Sequence, residues 1–482
     1  MNGGGNENRT LAKEAVSVWQ LVFFGHPAPI GILGFGPLIA AVAFALGATP
    51  LSFVIGLVAA LLAGNTLFQY SKSVVNAGGY YGYVRNGLGQ HAGTFVAFLY
   101  ALYEIANVSF FVVFRVWVFA STFRVMFGIS LPIWSGIIYV LLSTAPAFWL
   151  AYRGVRPSVK VSLIQAVFQV ILVVGISVAV ILEAHDNSFA PFTPLAPAGW
   201  SGVFLGFIAG SYLLYAGYGQ IITLGEEAKA PTKTVGLAVM IIILFAGFYY
   251  ILGAYAMTVG WGTALMSSFV HAVTPGSTVI GKAVGHGFVD IVDAIFFFTL
   301  FSLTLSYFTP ITRVLFALSR DKLLPKKLSF IHPRYLTPSY AIFTAVLIIT
   351  GVSVIVGLTF YLTKGYSGLL DAWIGLSITA TITTLIVHAI TNTSLSISSW
   401  KGTIATPRTK TVTILFHWIV PLVNTILIIM VLYFAIYKLP PVYIGAIIGI
   451  IAYSAIVAIY IFMKRDIIKG SSVTVGGPRV ER

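Results

Sequence analysis

Twelve apolar runs of about 20 residues leave this chain little choice of fold. Each is long enough to cross the ~30 Å hydrocarbon core of a bilayer as a helix. They fall near 15–45, 50–71, 92–118, 130–151, 158–183, 200–224, 235–260, 286–318, 338–358, 366–392, 411–437 and 440–463. Of the residues, 58% are hydrophobic and 9% charged, against roughly 25% charged in a soluble domain. A soluble fold has no interior that hides so much apolar surface. The runs therefore predict an all-α polytopic membrane protein of about twelve transmembrane helices.

The net charge of +15 raises nucleic acid as a partner, and its placement argues against one. All but five of the 28 Lys and Arg sit at alternate gaps that share one side; the exceptions are Arg115, Arg124, Lys282, Lys364 and Lys438. Such asymmetry marks the cytoplasmic side. It predicts a multi-pass protein of the cytoplasmic membrane with both termini inside. The first run is too long for a signal-peptide core and lacks a small-residue cleavage site, so it reads as span one. The chain has no cysteine, which excludes disulfides, thiol nucleophiles and cysteine metal sites. Segments 1–14 and 464–482 read as cytoplasmic tails, and no gap is long enough for a soluble domain.

Two runs carry helix breakers at mid-membrane. "FFGHPAPIGILGFGPL", 23–38, holds four glycines and three prolines. "GSYLLYAGYGQ", 210–220, places Gly210, Gly217 and Gly219 in the sixth run. Lipid offers freed backbone groups no partner, so such breaks belong where backbone lines a cavity. A matching pair five spans apart points to inverted repeats: spans 1–5 at 15–183 and 6–10 at 200–392, within a core of 15–398, with spans 11–12 at 411–463 outside it. The breaks would offer N–H groups to an anion and C=O groups to a cation. Facing one cavity, those ends suit a zwitterion, which is an amino acid.

Three loops then carry a resemblance. They are "SKSVVNAGGYYGYVRNGLG" (71–89), "LGEEAKAPTKTVG" (224–236) and "TRVLFALSRDKLLPKKLSFIHPRYLTPSYA" (312–341). In this order and at these spans they resemble the amino acid–polyamine–organocation transporter superfamily over about residues 15–460. The resemblance implies a five-plus-five inverted repeat with spans one and six broken. It also implies secondary transport of amino acids or amines by symport or exchange. Backbone around Ile30, Gly31, Gly34 and Gly36 would then bind the carboxylate. Carbonyls near Leu213, Leu214 and Ala216, beside Gly217 and Tyr215, would take the amino group. Two positions depart from the family. Gly219 stands where a glutamate is frequent, and Gln169 where proton-coupled members carry a lysine; glutamine does not titrate.

Among side chains, Glu104 is a carboxylate in mid-span, which needs a partner or a proton. It reads as a proton carrier, a counter-ion for a cationic substrate, or a structural hydrogen-bonding group. Arg115, eleven residues on and roughly 16 Å further out, reads as an interfacial snorkelling residue or one lining the outer vestibule. His26, inside the first break, is a coupling candidate or a cap for freed backbone. His388 and His417 read as structural. Thr299, Ser302, Thr304 and Ser306 are hydroxyls for sodium or simple back-bonders to the i−4 carbonyl. Glu226–Glu227 and Arg320–Asp321 are a latch or solvated loop charges. Tyr80, Tyr81 and Tyr83 fit an interfacial belt, and Tyr212, Tyr215 and Tyr218 are pocket candidates.

The expected function is a proton-linked amino acid permease working by alternating access, with a small-molecule amino acid as partner and no cofactor. An exchanger or a sodium-coupled symporter are alternatives. A channel is the reading from another class, since broken helices also build filters. No catalytic cluster or metal-ligand spacing suggests an enzyme.

Overall fold

The computed structural model describes residues 10–470 except 27, 28, 35, 273 and 408. Among them secondary structure is helical, apart from one isolated parallel bridge between Val16 and Ala228. The α-helices in chain order are α1 (Val18–Phe24), α2 (Pro37–Ala45), α3 (Thr49–Ser71), α4 (Tyr80–Leu88) and α5 (Gln90–Phe127). Then come α6 (Ile133–Arg153), α7 (Val155–Glu183), α8 (Gly199–Gly206), α9 (Tyr212–Tyr215) and α10 (Pro231–Trp261). They continue as α11 (Met266–Phe269), α12 (Pro275–Val284), α13 (His286–Arg320), α14 (Ser339–Lys364) and α15 (Tyr366–Trp400). The last are α16 (Lys410–Ile414), α17 (Val420–Tyr437), α18 (Ile444–Met463) and α19 (Arg465–Gly470).

Ten stretches among the described residues are long and apolar enough to cross a membrane, from Pro37–Ser71 to Pro441–Met463. The protein is thus a multi-pass membrane protein. Burial sorts the stretches into two layers. Those at Gln90–Ala120 and Gly199–Glu227 are 83% buried, whereas Pro441–Met463 is 11% buried, so the latter presents its apolar side chains outward. Leu182, Leu362 and Met463 are exposed in the same way, as lipid requires and water forbids. Inside this shell α15 packs along α5, and α10 along α3.

The first apolar run is interrupted where its breakers lie. Ser17 caps α1 in a reciprocal capping box with Gln20. Beyond Gly25 the chain makes a 3-10 turn over Pro29–Ile32 and re-enters α-helix at Pro37. Gly34 and Gly36 adopt φ of +89° and +51°, left-handed values that favour glycine. Pro37 suits the first helical turn because its missing N–H would have no intrahelical acceptor there.

The sixth run is interrupted differently from the unwinding expected. It changes gauge along a continuous path: α8, a π turn over Phe207–Ser211, α9, then 3-10 turns over Ala216–Gly219 and Ile221–Glu227. Gly210 and Gly217 pack closely against the first run, whereas Gly219 packs on Tyr80 of α4.

Candidate functional site

The two interrupted runs cross at backbone contact. A Cβ on Gly210 would lie 2.0 Å from the Pro37 carbonyl oxygen, and one on Gly217 would lie 2.0 Å from that of Gly25. Only glycine permits either approach. Between these crossings Ile30, Gly31, Leu213, Leu214 and Ala216 are all buried. Gly31 has room: an added Cβ would meet only the Leu214 Cδ2 at 3.8 Å and the Pro37 Cδ at 3.9 Å. Gly36 faces the Phe114 ring, 3.5 Å from an added Cβ. Gly34 instead packs on Gly276, whose Cα would lie 2.4 Å from an added Cβ. The Gly34 and Gly36 N–H groups find no acceptor among the described residues. The Ile30 N–H donates to Gln169 Oε1 over a long 3.4 Å, and Gln169 Nε2 has no partner. Gln169 thus reaches from α7 to the break.

Tyr215 turns away from this gap. Its hydroxyl donates to the Phe53 carbonyl at 3.0 Å and its ring packs over Gly56 of α3. Tyr212 and Tyr218 belong to a polar cluster on the other side. Their hydroxyls are 2.9 Å apart, and His388 Nε2 lies 3.2 Å from the Tyr218 hydroxyl and 3.3 Å from that of Tyr80. Tyr80 packs on Tyr100 at 4.8 Å between centroids, and Tyr100 donates to the Gly219 carbonyl. Glu104 is one turn along α5 from Tyr100, whose side chain is its hydrogen-bonding neighbour; it is 0% exposed and forms no ion pair among the described residues. A buried carboxylate without a partner is costly when ionised. His388, expected to be structural, is the hub of its tyrosine neighbourhood.

His26 stands apart from Glu104. Its ring lies 5.2 Å from both Tyr249 and Tyr250, with Nε2 unpartnered. Arg115 does not snorkel: it is 1% exposed and donates to the Phe111 carbonyl and to Thr304 Oγ1. A guanidinium on Thr304 opposes a metal cation at that hydroxyl. Thr299 back-bonds to the Ile295 carbonyl, and Ser306 pairs with Ser162 at 3.3 Å. The Ser302 side chain lies outside the described residues.

Ion pairs join elements at the basic end of the bundle. Glu227 takes two guanidinium nitrogens of Arg313 at 3.1–3.2 Å, with both side chains almost fully buried. Glu226 pairs with Arg320 at 2.9 Å, and Asp321 with Arg85 at 2.9 Å. Tyr81 also donates to Asp321; burial, and then that carboxylate, push its phenol above the usual range, so it stays a donor. The Glu227 carbonyl accepts the N–H groups of Ala15 and Val16, which straps the segment before α1 across this end. Glu226–Glu227 and Arg320–Asp321 are therefore paired rather than solvated.

Two site residues escaped sequence reasoning. Arg313 carried a usable signal, a cation at the edge of an apolar run whose partner was unnamed. Gln220 is fully buried beside Gly219 with neither amide atom partnered; its signal was an amide directly after the glycines.

Residues 27–470 match the family described as amino acid permease. The branched-chain amino acid permease BcaP of Bacillus subtilis (strain 168) is 27% identical over 334 residues, 64% of this chain and 70% of that protein. The chloroplastic cationic amino acid transporter 7 of Arabidopsis thaliana is 28% identical over 323 residues, 61% of this chain and 53% of that protein. The methylthioribose transporter of Bacillus subtilis (strain 168) is 24% identical over 354 residues, 69% of this chain and 73% of that protein.

Proposed function

The chain belongs to the amino acid permease family, and from that premise we propose that it moves amino acids across the cytoplasmic membrane by alternating access. The proposed frame is twelve spans, both termini cytoplasmic, with an inverted repeat of spans 1–5 and 6–10 and spans 11–12 outside it. The observation that carries this reading is the pair of interrupted runs crossing at Gly25–Gly217 and Pro37–Gly210. Between the crossings we place the substrate, because backbone N–H and C=O groups freed at the two interruptions fit a carboxylate and an ammonium. Gly31, where an added Cβ would meet only ordinary contacts with Leu214 and Pro37, takes the carboxylate side. The carbonyls of Leu213, Leu214 and Ala216 take the ammonium.

The walls favour a neutral, apolar side group. Phe110, Phe114 and Trp373 pack together with centroids 5.2–5.4 Å from Trp373 to each phenylalanine, beside Gly36. A branched-chain amino acid suits them, which is also what BcaP is named for. A second reading, a cationic amino acid, is favoured by one observation: the buried Glu104 carboxylate lies among tyrosines with no cation paired to it among the described residues, and tyrosine ring faces attract cations. For coupling, a proton on Glu104 is the reading that leaves no ionised carboxylate buried without a cation. Sodium fits less well, because Arg115 occupies Thr304.

The decisive experiment is uptake into proteoliposomes under separate proton and sodium gradients, with and without internal substrate. Leucine, lysine and a set of other labelled amino acids and amines would be compared. Saturable leucine uptake driven by an inward proton gradient supports the first reading. Lysine uptake without leucine uptake selects the second. Unitary currents would replace the carrier with a channel.

A further inference from the structure

A cavity of about 620 Å³ lies away from this site, between α3, α10 and the segment running from Ala405 into α17. Its volume is within the ~300–1,000 Å³ of small-molecule pockets. Most of its wall is apolar, including Leu62, Phe68, Met240 and Phe416. Along α3 the lining runs Leu61, Asn65, Gln69 and Lys72, which is one helix face. Eleven residues of helix rise roughly 16 Å, about half the hydrocarbon core. The cavity therefore extends from the polar boundary of one leaflet to near the bilayer centre, the reach of one acyl chain.

Its charge is one-sided. Lys72 stands at the boundary end, exposed, its ammonium donating to Gln69 Oε1 at 2.9 Å and lying 4.1 Å from the Phe68 ring centre. Among the described residues it makes no ion pair. Lys410 opens α16 two residues before the lining residue Val412. No Asp or Glu occurs in α3, in α10, or anywhere from 393 to 465. The flanking Leu415 and Trp418 are exposed as lipid-facing residues are. Asn65 fixes the wall by donating to the Phe416 carbonyl at 2.7 Å, within the π turn Leu415–Ile419.

We infer that this cavity binds an anionic phospholipid of the leaflet at the basic end. One acyl chain lies between α3, α10 and α17, and the phosphate sits on Lys72. A wall without carboxylates and with an unpaired ammonium at headgroup depth complements a net negative headgroup. A choline headgroup adds a cation that this wall has nothing to pair with.

The test is native mass spectrometry of the full-length protein in detergent, equilibrated with dioleoylphosphatidylglycerol or dioleoylphosphatidylcholine. The expected result is one retained phosphatidylglycerol per chain with about a fivefold preference over phosphatidylcholine. Lys72→Gln abolishes the preference and Lys72→Arg keeps it. Ala405→Trp, a change at an exposed lining position, displaces either lipid while the thermal midpoint in lipid-free detergent is unchanged. Excess inorganic phosphate leaves the bound lipid in place. Equal retention of both lipids, a preference surviving Lys72→Gln, or displacement by inorganic phosphate overturns the inference.

Discussion

At the scale of single residues, the glycines of the two interrupted runs divide into packing and lining positions, and substitution separates them. Gly217→Ala drives a methyl into the Gly25 carbonyl oxygen. Overpacking of this kind costs about 1–3 kcal/mol or more, so a lowered thermal midpoint and reduced yield are expected. Gly31→Ala meets only ordinary contacts. It is expected to keep the wild-type midpoint while raising the substrate KM, because the methyl occupies space proposed for the carboxylate. Equal thermal midpoints for the two variants would refute this division. Glu104→Gln removes a titratable group without changing shape. Uptake by that variant is expected to lose its dependence on external pH; an unchanged profile returns Glu104 to a structural role.

At the scale of elements, the closure of the basic end rests on the ends of the sixth run and α13. Glu227 and Arg313 are buried together, and removing one partner of such a pair costs about 3–5 kcal/mol. That cost falls on the arrangement in which they meet. Arg313→Ala is therefore expected to populate conformations open at the basic end. The absence of cysteine makes the protein its own background for thiol labelling. Thr223→Cys, buried here, is expected to label slowly alone and severalfold faster with Arg313→Ala. Equal rates would mean that the ion pair does not hold this end shut. The N–H groups of Ala15 and Val16 on the Glu227 carbonyl tie the same ion pair to the segment before α1.

At the scale of the whole molecule, charge asymmetry makes a prediction about sidedness. In intact cells, Lys438→Cys is expected to react with an impermeant maleimide, whereas Lys229→Cys reacts only after permeabilisation. Labelling of both from outside would contradict the twelve-span frame. The membrane character of the fold was legible because each apolar run carries its own signal, independent of its neighbours. The break in "FFGHPAPIGILGFGPL" was legible for the same reason: glycine and proline act on the local backbone. Less legible was what each broken residue touches. Gly31 and Gly34 look alike in the sequence, yet a Cβ on one would meet only ordinary contacts with Leu214 and Pro37 and the other packs on Gly276, some 240 residues away along the chain.

Local free energies explain what the chain's linear order determined by itself. Apolar length, breaker position and the basic gaps set the membrane fold and the two interruptions, and the loop motifs pointed to the permease family. Tertiary structure decided the pairings. Arg313 meets Glu227 across 86 residues, Tyr215 reaches Phe53 across 162, and Arg115 reaches Thr304 across 189. Each is a choice among many polar groups that only packing brings within hydrogen-bond distance. A buried polar atom must take whichever partner the assembled helices leave beside it, and Glu104 was left with the Tyr100 side chain and no cation among the described residues.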